Sequence, residues 1–306
     1  MIMSLNSSHK AKVGVVVPIW NVAPYIERCV ESLMKQTLDD MQFVFVDDAS
    51  PDNSFEILNK VLSRYPNRLN QVVVLRHTTN KGLPSARKTG LEAVSAEYVV
   101  HCDGDDWIEP TMYEKMYLTA CKNDADMVVC EKIPQRRLGE IDDNYLLAFL
   151  HREISSYVWK RMTRTEIYNH ITFPTDNLLE DWVQGVQIHA YSKIVSFIDE
   201  PFLYHYTDNP NSITRSSTAD NCDQNLSQAM ANMKLVHDFV IPNNLAREED
   251  LVFMKIQVRK RLEPKLLRRQ GRLQYLRTYP EINRSLFNNR WVPWYFKVEH
   301  IAIKLN

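Results

Sequence analysis

Short, wholly apolar runs alternate with segments of helical period across residues 13–130, and this alternation leaves the chain very few folds. Val13 to Val17 is a β-branched run ending at Pro18, after which Tyr25, Ile26, Cys29, Val30, Leu33 and Met34 recur at helical spacing. Phe43 to Val46 makes a second run, followed by the helical set Phe55, Ile57, Leu58, Val61 and Leu62. The pattern repeats with Val72 to Leu75 and Ser85 to Val94, then with Tyr98 to Cys102 and Thr111 to Lys122, and ends in a fifth strand at Met127 to Cys130. Continuous apolar runs of this length suit strands buried on both faces, and their alternation with helices makes βαβ units. The expectation is an α/β fold with a mainly parallel sheet flanked by helices. In such sheets ligands bind in the crevice beyond the carboxyl ends of the strands.

Polar and acidic residues collect at those ends. Strand one runs into Pro18-Ile19-Trp20-Asn21, strand two into Asp47-Asp48-Ala49-Ser50, and strand four into Asp103-Gly104-Asp105-Asp106. Three carboxylates in four residues repel one another unless something positive joins them. Mn²⁺ or Mg²⁺ would do so, because such ions take oxygen ligands from one or two carboxylates together with phosphate oxygens. The Asp-x-Asp spacing sets Asp103 and Asp105 on one side of an extended chain, where a bound ion would also bridge a diphosphate. The same residues also suit a solvated turn in which Asp106 caps the helix near Pro110 and Thr111. After strand three, Gly82 allows a tight turn and Ser85 can cap the next helix. The helix start, with Arg87 and Lys88, would attract a phosphate or simply face solvent.

In order and spacing these segments resemble the family 2 glycosyltransferases of the GT-A fold, from about Lys12 to Ser217. Val15 to Asn21 looks like the opening strand and loop, and Val44 to Asp52 like the Asp-Asp-x-Ser nucleotide-binding segment. Gly82 to Gly90 resembles the Gly…Ala-Arg-Asn-x-Gly segment, and Asp103 to Trp107 the Asp-x-Asp-Asp signature. Glu180-Asp181 matches the later acidic pair; Pro201 to Tyr206 and Ser212-Ile213-Thr214 resemble the closing segment. The resemblance implies an inverting transfer of a sugar from a nucleoside diphosphate, UDP by preference, to a hydroxyl of a saccharide or lipid-linked saccharide. It implies that Pro18, Ile19, Trp20 and Asn21 line the donor site with Gly82 and Arg87. Asp48 would accept the N3–H of a uracil-like base, Asp103 would meet the ribose, and Asp105 would hold the metal. Asp181 would be the general base, with Glu180 beside it. Trp20 stands where the family has Tyr, and Lys88 where it has Asn. His205 would contact the metal or the acceptor, or sit satisfied in the core. Arg215 would close over the diphosphate or remain a solvated loop charge.

Charge divides the chain. Residues 253–306 carry 13 Lys and Arg against 3 Asp and Glu, leaving 24 against 35 elsewhere. The expected organisation is a lead-in over 1–12, a transferase domain over 13–217 and a basic helical region over 218–306. In that region Lys255, Arg259, Lys260, Arg261, Lys265, Arg268, Arg269, Arg272 and Arg277 interleave with leucines and precede Trp291, Trp294, Tyr295 and Phe296. This composition suits an anionic membrane surface, a solvated helical bundle or a homo-oligomer interface. No motif for nucleic acid accompanies it. The five scattered cysteines, Cys29, Cys102, Cys121, Cys130 and Cys222, have no metal-like spacing and read as reduced core residues of a cytoplasmic protein. That protein would be peripheral on the inner face of the cytoplasmic membrane if the tail binds lipid. A sugar nucleotidyltransferase would need a glycine-rich basic loop after strand one, which is absent. A non-catalytic saccharide-binding module would have no use for the full acidic set. A dinucleotide dehydrogenase is excluded, because no Gly-x-Gly-x-x-Gly follows a strand.

Overall fold

The computed structural model describes residues 10–131, 144–200, 203–209, 221–266 and 268–305. Contacts divide the chain into two units. Among the described residues the first takes 10–131, 157–175, 191–200 and 203–209, and the second takes 144–156, 176–190, 221–266 and 268–305.

The first unit is a seven-stranded sheet. Its strands are β1 (Ala11–Ile19), β2 (Met41–Asp47), β3 (Val72–Arg76), β4 (Ala96–His101), β6 (Met127–Val129), β7 (Arg161–Arg164) and β8 (Val195–Phe197), in the order β3-β2-β1-β4-β7-β6-β8. β1, β2, β3 and β4 are parallel, as are β6 and β8; only β7 runs against its neighbours β4 and β6. The order reverses direction between β1 and β4, which opens a crevice at their carboxyl ends. β1 is nine residues long, extending beyond the apolar run at both ends, because Ala11 and Ile19 are buried as well. Helices α1 (Ile26–Met34), α2 (Ser54–Leu62), α3 (Leu83–Glu92) and α4 (Met112–Asn123) connect the strands. Helix α3 lies very close to the sheet because residue 90 is glycine: a Cβ there would come 2.5 Å from Val16 Cγ1 and 3.2 Å from Val46 Cγ2. Two further short strands, β5 (Trp107–Ile108) and β9 (Tyr204–His205), pair antiparallel.

Some local expectations change. Residues 158–160 form a single 3₁₀ turn, and β7 starts directly after it at Arg161. Helix α3 begins with Gly82 as its N-cap, at φ 87°, which puts Ser85 inside the helix and not at its cap. Four of the five cysteines are buried, and Cys121 is exposed.

The second unit is helical: α5 (Tyr145–Leu150), α6 (Glu180–Tyr191, all but its last residue), α7 (Cys222–Val240), α8 (Val252–Arg259), α9 (Arg269–Arg277), α10 (Ile282–Asn288) and α11 (Trp294–Leu305). Its apolar core includes Phe149, Val186, Met233, Phe253, Ile256, Leu262 and Leu286. Several basic residues of the expected amphipathic tail turn inward. Lys255 is buried between Glu248 at 2.9 Å and Glu281 at 2.8 Å. Arg259, fully buried, donates to the carbonyls of Thr278 and Tyr279, each at 2.6 Å. Buried cations require such partners, so these two hold the unit together and present no charge to a surface. Among the described residues no helix is long and apolar enough to cross a membrane.

Candidate active site

The acidic turn leaves β4 with Cys102, whose N–H donates to the Val16 carbonyl at 3.0 Å. Only glycine at 104 lets this turn press onto the end of β1, since a Cβ there would lie 2.9 Å from the Pro18 carbonyl oxygen. Asp103 is held by Arg87, Nη2 to Oδ1 at 2.8 Å, with the guanidinium buried and the carboxylate partly exposed. Asp105 accepts from Asn209 Nδ2 at 2.9 Å. Asp106 is buried and does not cap α4. Its Oδ2 accepts from the Tyr204 hydroxyl at 2.8 Å and its Oδ1 from the Thr207 N–H at 2.6 Å. Tyr204 in turn stacks on Trp159 at 3.6 Å. Burial, and then the charge of Asp103, push the Asp106 carboxyl up to about 7; the same two causes raise Asp105.

At the neighbouring strand ends a second carboxylate system takes shape. Asp48 follows β2, and the next residue, Ala49, sits at φ 55°, in a region that L residues with a Cβ adopt at a cost. The buried Asp48 carboxylate accepts from His77 Nδ1 at 2.6 Å and the Lys81 N–H at 2.9 Å through Oδ1, and from the Gly82 N–H at 2.8 Å through Oδ2. His77 reaches Thr89 Oγ1 at 3.0 Å with its other ring nitrogen. Asp47, fully buried, pairs with Arg76 Nε at 2.8 Å, and the Arg76 guanidinium lies 4.5 Å over the Phe55 ring. Ala49, Ser50, Arg76, His77 and Thr78 line an open groove of about 420 Å³. A larger cavity, about 620 Å³, belongs to the second unit and is lined by His151, Asp250 and Trp291 among others. Its walls satisfy one another: His151 bonds Asp250 at 2.8 Å and stacks on Trp291 at 4.1 Å.

Ile19 is fully buried in the core, so only its backbone is available to a donor; its carbonyl accepts the Asp48 N–H at 2.9 Å. Pro18 is buried against Gly104, Trp20 is 45 % exposed, and Asn21 adopts φ 56°. His205 is no core histidine. It stacks on Trp107 at 3.5 Å and bonds Glu109 Oε1 through Nε2 at 2.7 Å, which leaves Nδ1 for a ligand. Arg28 lies 3.9 Å over the same Trp107 ring. Arg215, with Ser212 to Thr214, Pro201 and Phe202, lies outside the described residues. Glu180 and Asp181 belong to the second unit, in the first turn of α6 directly after Leu179, which stands at φ 62°. Glu180 is buried and accepts from Gln184 at 2.8 Å. The half-buried Arg261 is the basic neighbour whose charge Asp181 supports.

The sequence pattern passes over His77, Arg76, Tyr204 and Asn209. His77 carries a readable signal, since it lies two residues past the apolar run of β3 and so at a carboxyl end. Tyr204 and Asn209 act across about a hundred residues and carry none.

The donors decide whether a divalent ion fits. Among the described residues no three His, Cys, Asp or Glu side chains converge as a ready metal site. Burial first, and then the charge of Asp103, raise the proton affinity of both Asp105 and Asp106, so that positive charge brought to this turn would be favourable. That combination suits an ion held by one or two carboxylates with the remaining oxygens brought by a diphosphate, and does not suit an all-protein cage.

The sequence profile described as glycosyl transferase family 2 matches residues 14–192, more than half of the chain. The chain belongs to glycosyl transferase family 2. It is 31 % identical over 235 residues to the uncharacterized glycosyltransferase EpsJ of Bacillus subtilis, a match covering 71 % of this chain and 67 % of that one. In fold it is similar to S. aureus TarS 1-349, solved in complex with UDP-GlcNAc, with a TM-score of 0.58 at 18 % identity over 90 % of this chain and 92 % of that one. It is likewise similar to the mannosyltransferase PcManGT of Pyrobaculum calidifontis, solved with GDP-Man and Mn²⁺, with a TM-score of 0.57 at 15 % identity over 98 % and 82 % of the two chains. Family membership makes this a glycosyltransferase of the GT-A fold and sets the nucleotidyltransferase aside.

Proposed function

We propose that this family 2 enzyme transfers one sugar, with inversion, from a nucleoside diphosphate donor, UDP by preference, to a hydroxyl of a saccharide or lipid-linked saccharide. The observation that carries this reading is the gathering, at the carboxyl ends of β1 to β4, of Asp48 with its three donors and the Arg87–Asp103 pair beside two proton-hungry carboxyls. Asp48 accepts a base N–H, and the Gly82 turn and Arg87 face the phosphate side. Trp20 and Asn21 line the donor with the backbone of Pro18 and Ile19, and Asp103 meets the ribose. Mn²⁺ or Mg²⁺ would be held by Asp105, with Asp103 beside it, and would supply charge compensation to the diphosphate as it leaves; the Nδ1 of His205 is left for the acceptor.

Asp181, supported by Glu180, takes the proton from the acceptor hydroxyl while its oxygen bonds to the anomeric carbon. The bond to the diphosphate oxygen breaks on the opposite face, so the configuration inverts. Binding of a sugar-nucleotide panel, measured by calorimetry with and without Mn²⁺, tests the donor assignment. Asp105→Ala should remove metal-stimulated donor binding, and unchanged metal dependence would discard it as a ligand. Asp181→Asn should bind donor normally and lose transfer; near-normal turnover would discard it as the base.

A further inference from the structure

The C-terminal helix α11 is apolar on two sides. Phe296, His300 and Ile303 are buried and fix one face to the second unit. On the other face Trp294 is 74 % exposed, Val298 54 %, Ile301 44 % and Leu305 81 %, with Tyr295 at 52 % beside them. Their separations of four, three and four residues draw one stripe along the helix. An exposed apolar stripe opposite a buried face ordinarily marks a second contact, and this stripe is covered by no described residue of the chain.

Charge identifies the cover. Arg268, Arg269, Arg277, Arg284, Arg290 and Lys304 are exposed, and none makes an ion pair with a described residue. The three acids among residues 253–306 cannot offset them. Glu263 is taken by Lys260 at 3.1 Å, Glu281 by Lys255 at 2.8 Å, and Glu299 is half-buried with its carboxyl raised by that burial. Two copies meeting through this region would bring like charge together, whereas an anionic surface would neutralise it. Trp and Tyr at one end of the stripe, and a lysine able to lift its amine at the other, are the side chains that settle at a lipid–water boundary.

We propose that α11 lies flat on an anionic lipid surface, inserting Trp294, Val298, Ile301 and Leu305, with the unpaired basic side chains of the same C-terminal region supplying the attraction to the headgroups. This moves the membrane contact away from Lys255 and Arg259, whose charges are spent internally, to the outer face of the final helix. It depends neither on the donor nor on the base assignment.

The test is co-sedimentation of the full chain with vesicles of mixed phosphatidylglycerol and phosphatidylcholine, beside vesicles of phosphatidylcholine alone. Binding to the anionic vesicles should be about tenfold or more the stronger and should weaken as salt is raised. The triple change Trp294→Ser, Val298→Ser and Leu305→Ser should lower it about tenfold or more and leave sugar-nucleotide binding intact. Arg284→Gln with Arg290→Gln and Lys304→Gln, which leaves the apolar stripe in place, should weaken binding and flatten its salt dependence. No sedimentation with anionic vesicles at low salt would overturn the proposal. So would a concentration-dependent dimer in light scattering that the serine variant abolishes, since a second copy would then be the cover.

Discussion

Replacing His77 by alanine separates the structural role of Asp48 from the donor contact proposed for it. The imidazole Nδ1 lies 2.6 Å from Asp48 Oδ1, both side chains are buried, and the other nitrogen bonds Thr89 at 3.0 Å. A buried bond to a charged acceptor contributes about 1.5–3 kcal/mol and the neutral bond to Thr89 about 1 kcal/mol, so the variant should lose ~2.5–4 kcal/mol of stability. Asp48 keeps its two backbone donors, Lys81 and Gly82, so its carboxylate stays in place but loses the partner that fixes its rotation. If Asp48 reads the donor base, that looseness should weaken UDP binding by about tenfold, or ~1.4 kcal/mol. His77→Gln, which keeps one donor toward Asp48, should recover most of the affinity but less of the stability. Urea unfolding gives the first quantity and titration calorimetry with UDP the second. A His77→Ala protein that melts earlier yet binds UDP within about twofold of the original would refute the link between this pair and the donor.

Packing and burial set two more outcomes. Gly90→Ala brings a Cβ to 2.5 Å from Val16 Cγ1, in a sheet whose core has no room to give. Net of the gain in helix propensity, it should lower unfolding stability by about 1–2 kcal/mol, and a urea midpoint at or above the original would contradict the packing account. For Asp106 the sign is set by a raised carboxyl, from 3.8 to about 7. The folded protein keeps this proton between those values and the unfolded chain does not, so metal-free stability should fall as pH rises through that window and level off above it. The full fall is on the order of 4 kcal/mol. Asp106→Asn should flatten the profile, and an equally steep one by urea unfolding would place the proton elsewhere.

The strand–helix alternation, and with it the parallel sheet and the strand ends where Asp48, Asp103 and Asp105 stand, could be read from the sequence. Period and apolar run length are local properties, and the backbone obeys them locally. The tertiary structure decided how those carboxylates and the adjoining Asp106 are held: His77 on Asp48, Arg87 on Asp103, Asn209 on Asp105, Tyr204 and Thr207 on Asp106. It also decided the fate of the tail, where Lys255 and Arg259 were legible as charges but their burial among Glu248, Glu281 and two carbonyls was not. A hydrogen bond or ion pair across a hundred residues leaves no period in the sequence, because its geometry exists only once the chain has brought both ends together. Composition names the charged groups, whereas burial determines which of them remain available to a ligand or a surface.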